Sequence, residues 1–296
     1  MYHLVYGFLY LLSLLPIRML YILSDGFYIL TYYVIGYRKE VVMHNLGIAF
    51  PDKTKKEKIN IARRFYHNFI DNFIETIKML SASDDYIYRR FTGNWDVVNE
   101  MYKTGRSCHL LLGHTFNWEW GNHSASAHLH YTFLVVYMPI GNTLINRLFY
   151  KLRSKGKTVL LAATNMRKEL MPYRRMQYAL ALAADQNPGS AENAYWLNFF
   201  GRPAPFVTGP EKGARGQNFP VFFCNIEKRK RGFYHLTFSL GEENPQQLTE
   251  GALTVRYVRY LEEVIRKQPD MWLWSHKRWK HSWKEDYAKL WIDEGR

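Results

Sequence analysis

Two side chains able to move a proton, His114 and Glu119, lie five residues apart in Gly113-His114-Thr115-Phe116-Asn117-Trp118-Glu119. A neutral imidazole takes a proton from a hydroxyl near pH 7, and a carboxylate on its other ring nitrogen fixes the tautomer and stabilises the imidazolium. On one regular helix, residues five apart point about 140° away from each other. His114 and Glu119 therefore meet only if His114 lies in a turn ahead of the helix. The bare H-x4-E spacing also arises as a turn histidine and an unrelated surface glutamate. A zinc site is a weaker reading, since there is no H-E-x-x-H and Cys108 and Cys224 are not spaced as ligands. No G-x-S-x-G elbow supplies a nucleophilic serine.

The elements around this stretch place the histidine. His109-Leu110-Leu111-Leu112 reads as a short buried strand, Gly113 as a turn, and the residues after it as a helix start with amides facing the turn. A second apolar run, Tyr178 to Ala184, ends in Asp185-Gln186-Asn187-Pro188-Gly189. Buried parallel strands deliver polar groups at their carboxyl ends in this way. Three roles are open for Asp185: orienting His114, orienting an arginine, or holding the loop, the last being preferred. Tyr131 to Met138 reads as a further strand, and a helix begins near Thr143. Residues 54–80 form an amphipathic pattern capped by Thr54, with Ile61, Phe65, Phe69, Phe73 and Ile77 at four-residue spacing. Gly213 and Ala214 open a short helix, and Leu253 to Arg266 form another. Phe219 to Ile226 and Phe233 to Leu240 read as strands. The charged run Glu227 to Gly232 between them is either a solvated hairpin turn or a docking patch for an acidic carrier. Helices alternating with apolar strands give an α/β fold.

The chain of 296 residues carries a net charge of +14 and 17% aromatic residues. Such a surface suits nucleic acid, anionic lipid headgroups or an acidic protein. The basic residues are spread among aromatics and no nucleic-acid motif is present, so nucleic acid is the least favoured of the three. Two lone cysteines make no disulfide framework, and a reducing compartment is the default. Residues 1–36 are apolar in two runs broken by Pro16 and Arg18. They read as a membrane anchor, spanning or re-entrant, with a buried helical pair as the alternative. They lack the basic start and cleavage site of a secretory signal. Arg38, Lys39, Lys53, Lys55 and Lys56 follow, so if the segment spans, the positive-inside rule places the remainder, residues 37–296, on the cytoplasmic side.

The string GHTFNWE resembles the H-x4-D/E motif of glycerolipid-type acyltransferases, and more closely that of the lipid A late acyltransferases, the lauroyl/myristoyl transferase family. Further blocks follow in that family's order from about residue 30 to 280. They are Val41 to Pro51; Tyr137-Met138-Pro139 with Asn142 and Arg153; Asp185-Gln186 with Gly189; Phe199-Phe200-Gly201 with Thr208-Gly209; and Trp272-Leu273-Trp274 with His276 and Arg278. Thr143 stands where the family has a proline after the asparagine, and Arg147 competes with Arg153 for the arginine position. The resemblance implies a mixed-sheet, glycerolipid-acyltransferase-like sandwich behind an N-terminal membrane-associated helical segment, at the cytoplasmic face of a bacterial inner membrane. It implies His114 and Glu119 as the catalytic pair, and Asn117, Arg153, Asp185, Gln186, Gly189 and Gly209 as substrate-binding residues. It calls for no metal and no cofactor. The donor is a thioester, acyl carrier protein or acyl coenzyme A, and the acceptor is a hydroxyl of a lipid A precursor. Other membrane-lipid acceptors (a lysophospholipid, aminolipid or glycolipid) share the motifs. A catalytically silent protein that binds anionic lipid through its basic aromatic face is the alternative outside enzyme chemistry.

Overall fold

The structure, a computed structural model, describes residues 1–293. The last three residues of the expected 37–296 domain lie outside the described residues. The chain opens with α1 (Tyr2–Leu14) and α2 (Ile17–Ile29), which runs into a π-helical turn over Leu30–Ile35. Pro16 cannot continue a helix that precedes it, and the two arms bend by 117° at this break. Among the described residues no single helix is long and apolar enough to cross a membrane. Next come α3 (Lys39–Ala49) and α4 (Lys55–Lys78), then α5 (Asp84–Tyr88), β1 (Phe91–Gly93) and α6 (Asp96–Tyr102). The central stretch holds β2 (Cys108–Leu112), α7 (Trp118–His128), β3 (Thr132–Tyr137), α8 (Thr143–Arg153), β4 (Val159–Ala162), α9 (Met166–Leu170) and β5 (Tyr178–Ala183). A hairpin of β6 (Ala194–Phe199) and β7 (Arg202–Val207) leads to α10 (Gly209–Gln217), β8 (Val221–Lys230), β9 (Phe233–Glu242) and α11 (Ala252–Lys267).

Seven strands form one sheet in the order β1-β9-β8-β2-β5-β3-β4. Only β8 and β9 pair antiparallel within it, so the sheet is mixed, as the resemblance implied. β2 sits at its centre between β8 and β5 and is hydrophobic at nearly every position, as a strand covered on both faces must be. The β6–β7 hairpin forms a separate ribbon, turned by Phe200 and Gly201, both at positive φ.

α4 begins at a capping box: the Thr54 hydroxyl accepts from the Glu57 N–H while the Glu57 carboxylate accepts from the Thr54 N–H. Its buried face departs from the four-residue stripe seen in the sequence. Ile61 and Phe65 are buried, but Phe69 is half-buried and Phe73 is exposed. Each four-residue step advances about 40° beyond a full turn, so a stripe of that period winds off the core. The core face continues through Ala62, Tyr66, Ile70 and Ile74, and it carries two acids, Asp71 and Glu75.

Those acids organise the N-terminal segment. Leu20 packs on Ile70 and Ile74. Leu12, Leu15, Ile17 and Tyr28 join that contact, polar groups take part on the same inward side, and the outward side is apolar. Ser24 donates to Asp71 at 2.7 Å, Tyr21 donates to Glu75 at 2.6 Å, and the backbone oxygens of Ser13 and Leu15 accept from Lys78. Facing out are Leu4, Phe8, Leu11, Ile22, Phe27, Val34 and Ile35.

The charged run at the end of β8 corrects the reading of a solvated turn. Glu227 to Lys230 continue the strand, and only Arg231 and Gly232 form the connection. Arg231 turns inward and donates to Asp71 at 2.6 Å and to Asp25 at 2.7 Å, while Lys228 stands 3.6 Å from Asp71. A Cβ on Gly232, which has φ +75°, would run into the Tyr21 hydroxyl, so the turn and the helix pair approach as closely as glycine allows. The Asp71 carboxylate is fully buried, and burial would raise its pKa, but His67, Arg231, Lys228 and Ser24 hold it down at about 2. Asp71→Ala leaves two cations facing an empty site and is expected to destabilise the fold by about 3 kcal/mol, read from urea unfolding. A loss below about 1 kcal/mol would mean that the network contributes no more than a surface pair.

Candidate active site

The site is built by two neighbouring strands that run the same way. β2 and β5 pair in register, Leu112 opposite Ala183, and the Ala184 N–H donates to the Leu112 carbonyl at 3.1 Å. Two residues further along each strand, His114 and Asp185 come level with one another. The His114 backbone N–H donates to Asp185 Oδ2 at 2.9 Å, and His114 Nδ1 lies 2.6 Å from Asp185 Oδ1. Gly113 makes room for Leu261 beside the pair: a Cβ there would stand 2.8 Å from Leu261 Cδ1, but at an ordinary contact distance of 3.5 Å from Asp185 Oδ2.

The C-terminal block closes the site from behind. Residues 114–116 pair with residues 271–273 through Phe116 N–H to Met271 O and Leu273 N–H to His114 O, both 3.1 Å. This brings the Trp272 indole N–H to Asp185 Oδ2 at 2.7 Å. Trp272 and Trp274 are buried and Arg278 lies on the Phe199 and Phe206 rings, so this block is a packed core edge, not a headgroup boundary. Asn187, after Asp185, donates to His276 Nε2 at 2.9 Å and accepts from Arg278 at 3.1 Å, which ties the β5 loop to the same block.

The electrostatics suit a base. Burial alone would raise the Asp185 carboxyl, but the His114 charge and hydrogen bonds, with the Trp272 indole, hold it at about 2. Burial and the nearby Arg153 guanidinium lower the His114 pKa, yet the Asp185 charge and hydrogen bond outweigh them and raise it above 6.5. The pair's effect on stability follows with opposite signs. The contribution of Asp185 is present above its ordinary pKa near ~4 and is lost as pH falls through about 2. The contribution of His114 is present below about 6.5 and is lost as pH rises through its raised folded value. With Nδ1 held by Asp185, Nε2 remains as the basic nitrogen and makes no hydrogen bond among the described residues. The side chain keeps 28% exposure, enough for a substrate group to reach it. The Trp118 ring meets the imidazole edge-on at 5.9 Å.

The expected His114–Glu119 contact is corrected: the carboxylate on the imidazole belongs to Asp185. Glu119 lies in the first turn of α7, and its buried carboxylate is taken by Arg153, whose Nη2 and Nε donate at 2.7, 3.0 and 3.1 Å. The Trp118 indole donates to it as well, at 3.0 Å. Five residues separate His114 from Glu119, and the turn that frees the histidine sends the two side chains to different partners. Of the competing arginines, Arg153 is the one beside the site; Arg147 lies over Tyr2.

Asn117, expected at the substrate, is fully buried. Its amide oxygen accepts from the Trp120 N–H as the cap of α7, and its Nδ2 donates to Glu75 at 2.7 Å. It therefore orders the turn from inside. Gln186 is half-buried, while Gly189 and Gly209 are exposed, Gly209 as the first residue of α10. That helix starts four residues before the expected Gly213.

Glu75 is the site residue that sequence reasoning missed. It is fully buried and binds Asn117, Tyr234 (2.8 Å) and Tyr21 together. Burial and the neighbouring Asp71 push its pKa up to about 7. The signal in the sequence was two acids, Asp71 and Glu75, one turn apart on the apolar face of a helix.

Fold and site define a class: an α/β protein in which a histidine paired with a buried aspartate stands at the carboxyl ends of parallel strands. The profile of the family described as bacterial lipid A biosynthesis acyltransferase matches residues 1–281, and the chain belongs to that family. It is an acyltransferase of lipid A biosynthesis. No curated protein matches the chain.

Asp185→Asn removes the charge that raises His114. It is expected to lower kcat by about 10²–10⁴-fold and to move the acid limb of the pH–rate profile to lower pH. Glu119→Gln leaves the His114–Asp185 pair in place, so its activity falls with the limb unmoved. The opposite pattern would return the imidazole to Glu119.

Proposed function

We propose that this enzyme transfers a fatty acyl chain from acyl carrier protein to the hydroxyl of a 3-hydroxyacyl chain on a lipid A precursor. The observation that carries the reading is the buried Asp185 on His114 Nδ1, which leaves Nε2 as the base. Nε2 takes the hydroxyl proton as the oxygen attacks the thioester carbonyl, forming a new C–O bond and a tetrahedral oxyanion. The intermediate collapses with loss of the C–S bond, and the imidazolium returns its proton to the departing thiolate. Asp185 stabilises the imidazolium between these steps. Arg153, held by Glu119, keeps Nη1 without a hydrogen bond among the described residues, and it is assigned to the developing oxyanion. Glu119 is thus a positioning residue for Arg153. No metal or cofactor is assigned a part.

The net charge of +14 favours an acidic carrier as donor. The apolar outward face of α1 and α2 supports association with the bilayer by an interfacial, bent hairpin. The basic residues that follow it favour the cytoplasmic face of the inner membrane.

His114→Gln keeps a donor for Asp185 and removes the base. Its thermal melt should stay close to that of the native protein while transfer falls by at least about 10²-fold. Mass spectrometry of lipid A from cells carrying only this variant should show one acyl chain fewer, as in cells lacking the protein. Lipid A that keeps its full acyl count in the variant cells would remove His114 from the chemistry, and a shift in another lipid class would reassign the acceptor.

A further inference from the structure

A second, smaller site lies away from His114, between the first helix and α8. The face of α8 formed by Arg147, Tyr150, Lys151 and Ser154, spaced as one helical stripe, meets Tyr2, His3 and Tyr6 of α1 around a cavity of about 430 Å³. Each cation sits over one ring: Arg147 lies 4.2 Å from the Tyr2 centroid and Lys151 4.1 Å from that of Tyr6. A ring orients a cation without neutralising it. No Asp or Glu lines the cavity. Among the described residues neither cation has a carboxylate within salt-bridge distance. The lining thus carries two cations that only donate, and hydroxyls that can donate beside them, with no carboxylate to neutralise the charge. Arg153, two residues on from Lys151 and about 200° round the helix, is committed to Glu119, so α8 directs separate cations to separate places.

The position of this cavity narrows its ligand. α1 supplies one wall, and the same helix exposes Leu4, Phe8 and Leu11 outward, at 79%, 66% and 66%. If that face enters the acyl region of a bilayer, the cavity beside it stands at headgroup depth. A phosphate monoester dianion has only acceptor oxygens, carries two negative charges and matches two adjacent cations. We propose that this cavity binds the phosphate monoester headgroup of a membrane lipid, at a site separate from the His114 centre. The inference rests on the interfacial placement of the hairpin proposed above, and not on the acyl-transfer chemistry.

The test titrates the full chain, in neutral detergent micelles, with dioctanoyl phosphatidate, dioctanoyl phosphatidylcholine and inorganic phosphate. Saturable binding of phosphatidate is expected, weakened at least about tenfold in the Arg147→Gln/Lys151→Gln double variant by the loss of two charge-assisted contacts. Lys55→Gln/Lys56→Gln on α4 removes the same charge from an exposed surface, and affinity should stay within about twofold. His114→Gln should bind like the native protein, which separates this site from the proposed reaction. Equal weakening in both double variants would reduce the effect to diffuse surface charge. Phosphatidylcholine binding as tightly as phosphatidate would show that the cavity does not read the phosphate monoester. Displacement of phosphatidate by inorganic phosphate at equal concentration would assign the cavity to soluble phosphate and overturn the lipid assignment. Thermal melts confirm folding, and if the double variant melts early the single variants carry the test at about threefold each. Co-sedimentation with neutral phosphatidylcholine vesicles tests the hairpin's placement on its own.

Discussion

The site depends on the register between β2 and β5. Parallel strands carry their side chains level with one another, and two chain segments about 70 residues apart therefore reach the same height at the sheet's edge. His114 and Asp185 are each the second residue beyond the last registered pair. A slip of one residue would turn Asp185 to the other face and leave His114 with a buried neighbour that carries no charge. The rest of the molecule protects this alignment. Apolar strands on both sides of β2 fix the register, Gly113 makes room for Leu261 beside the pair, and the segment around Trp272 locks the histidine backbone while donating to the aspartate.

A second polar system joins the surface helices to the same turn. Asp71 gathers Ser24, Arg231, Lys228 and His67, and Glu75 one turn later joins Tyr21, Tyr234 and Asn117. The helix pair therefore docks by hydrogen bonds and ion pairs as well as apolar contacts on its inner side, and keeps a second apolar side outward. Ordinary surface helices of soluble proteins turn a polar face outward. Such an inversion is stable only where each inward polar group finds a partner, since an unpaired buried donor or acceptor costs about 1–3 kcal/mol. The partners are present: the hydroxyls of Ser24 and Tyr21 donate to carboxylates, and the Asp71 carboxylate also accepts from Arg231, with His67 and Lys228 at 3.4 and 3.6 Å. Through Glu75 and Asn117 this docking is in direct contact with the cap of the helix that carries Glu119.

Much of the fold was legible from local pattern. The buried strand before Gly113, the strand ending at Asp185, the long helix capped by Thr54 and the α/β alternation all follow from apolar period and capping chemistry, which act over a few residues. Where the local reading failed, it failed over longer range. The charged residues at the end of β8 looked like a solvated turn because their partners, Asp25 and Asp71, lie more than 150 positions away. The aromatic stripe of α4 looked like core along its whole length because a four-residue period differs from the helical one only by an accumulating rotation.

The sequence alone placed a histidine in the turn after a buried strand, a second strand that ends beside it, the ordered blocks that resemble the lipid A acyltransferases and a basic, aromatic chain with an apolar start. These are properties of residue type and spacing, readable without folding. The tertiary structure decided which carboxylate serves the histidine. Spacing proposed Glu119, because proximity in sequence is all a motif can express, while strand register supplied Asp185 and left Glu119 to Arg153. Pairing energies depend on distance in space, and in a parallel sheet the residues closest in space are set by hydrogen bonds between strands that the sequence keeps far apart.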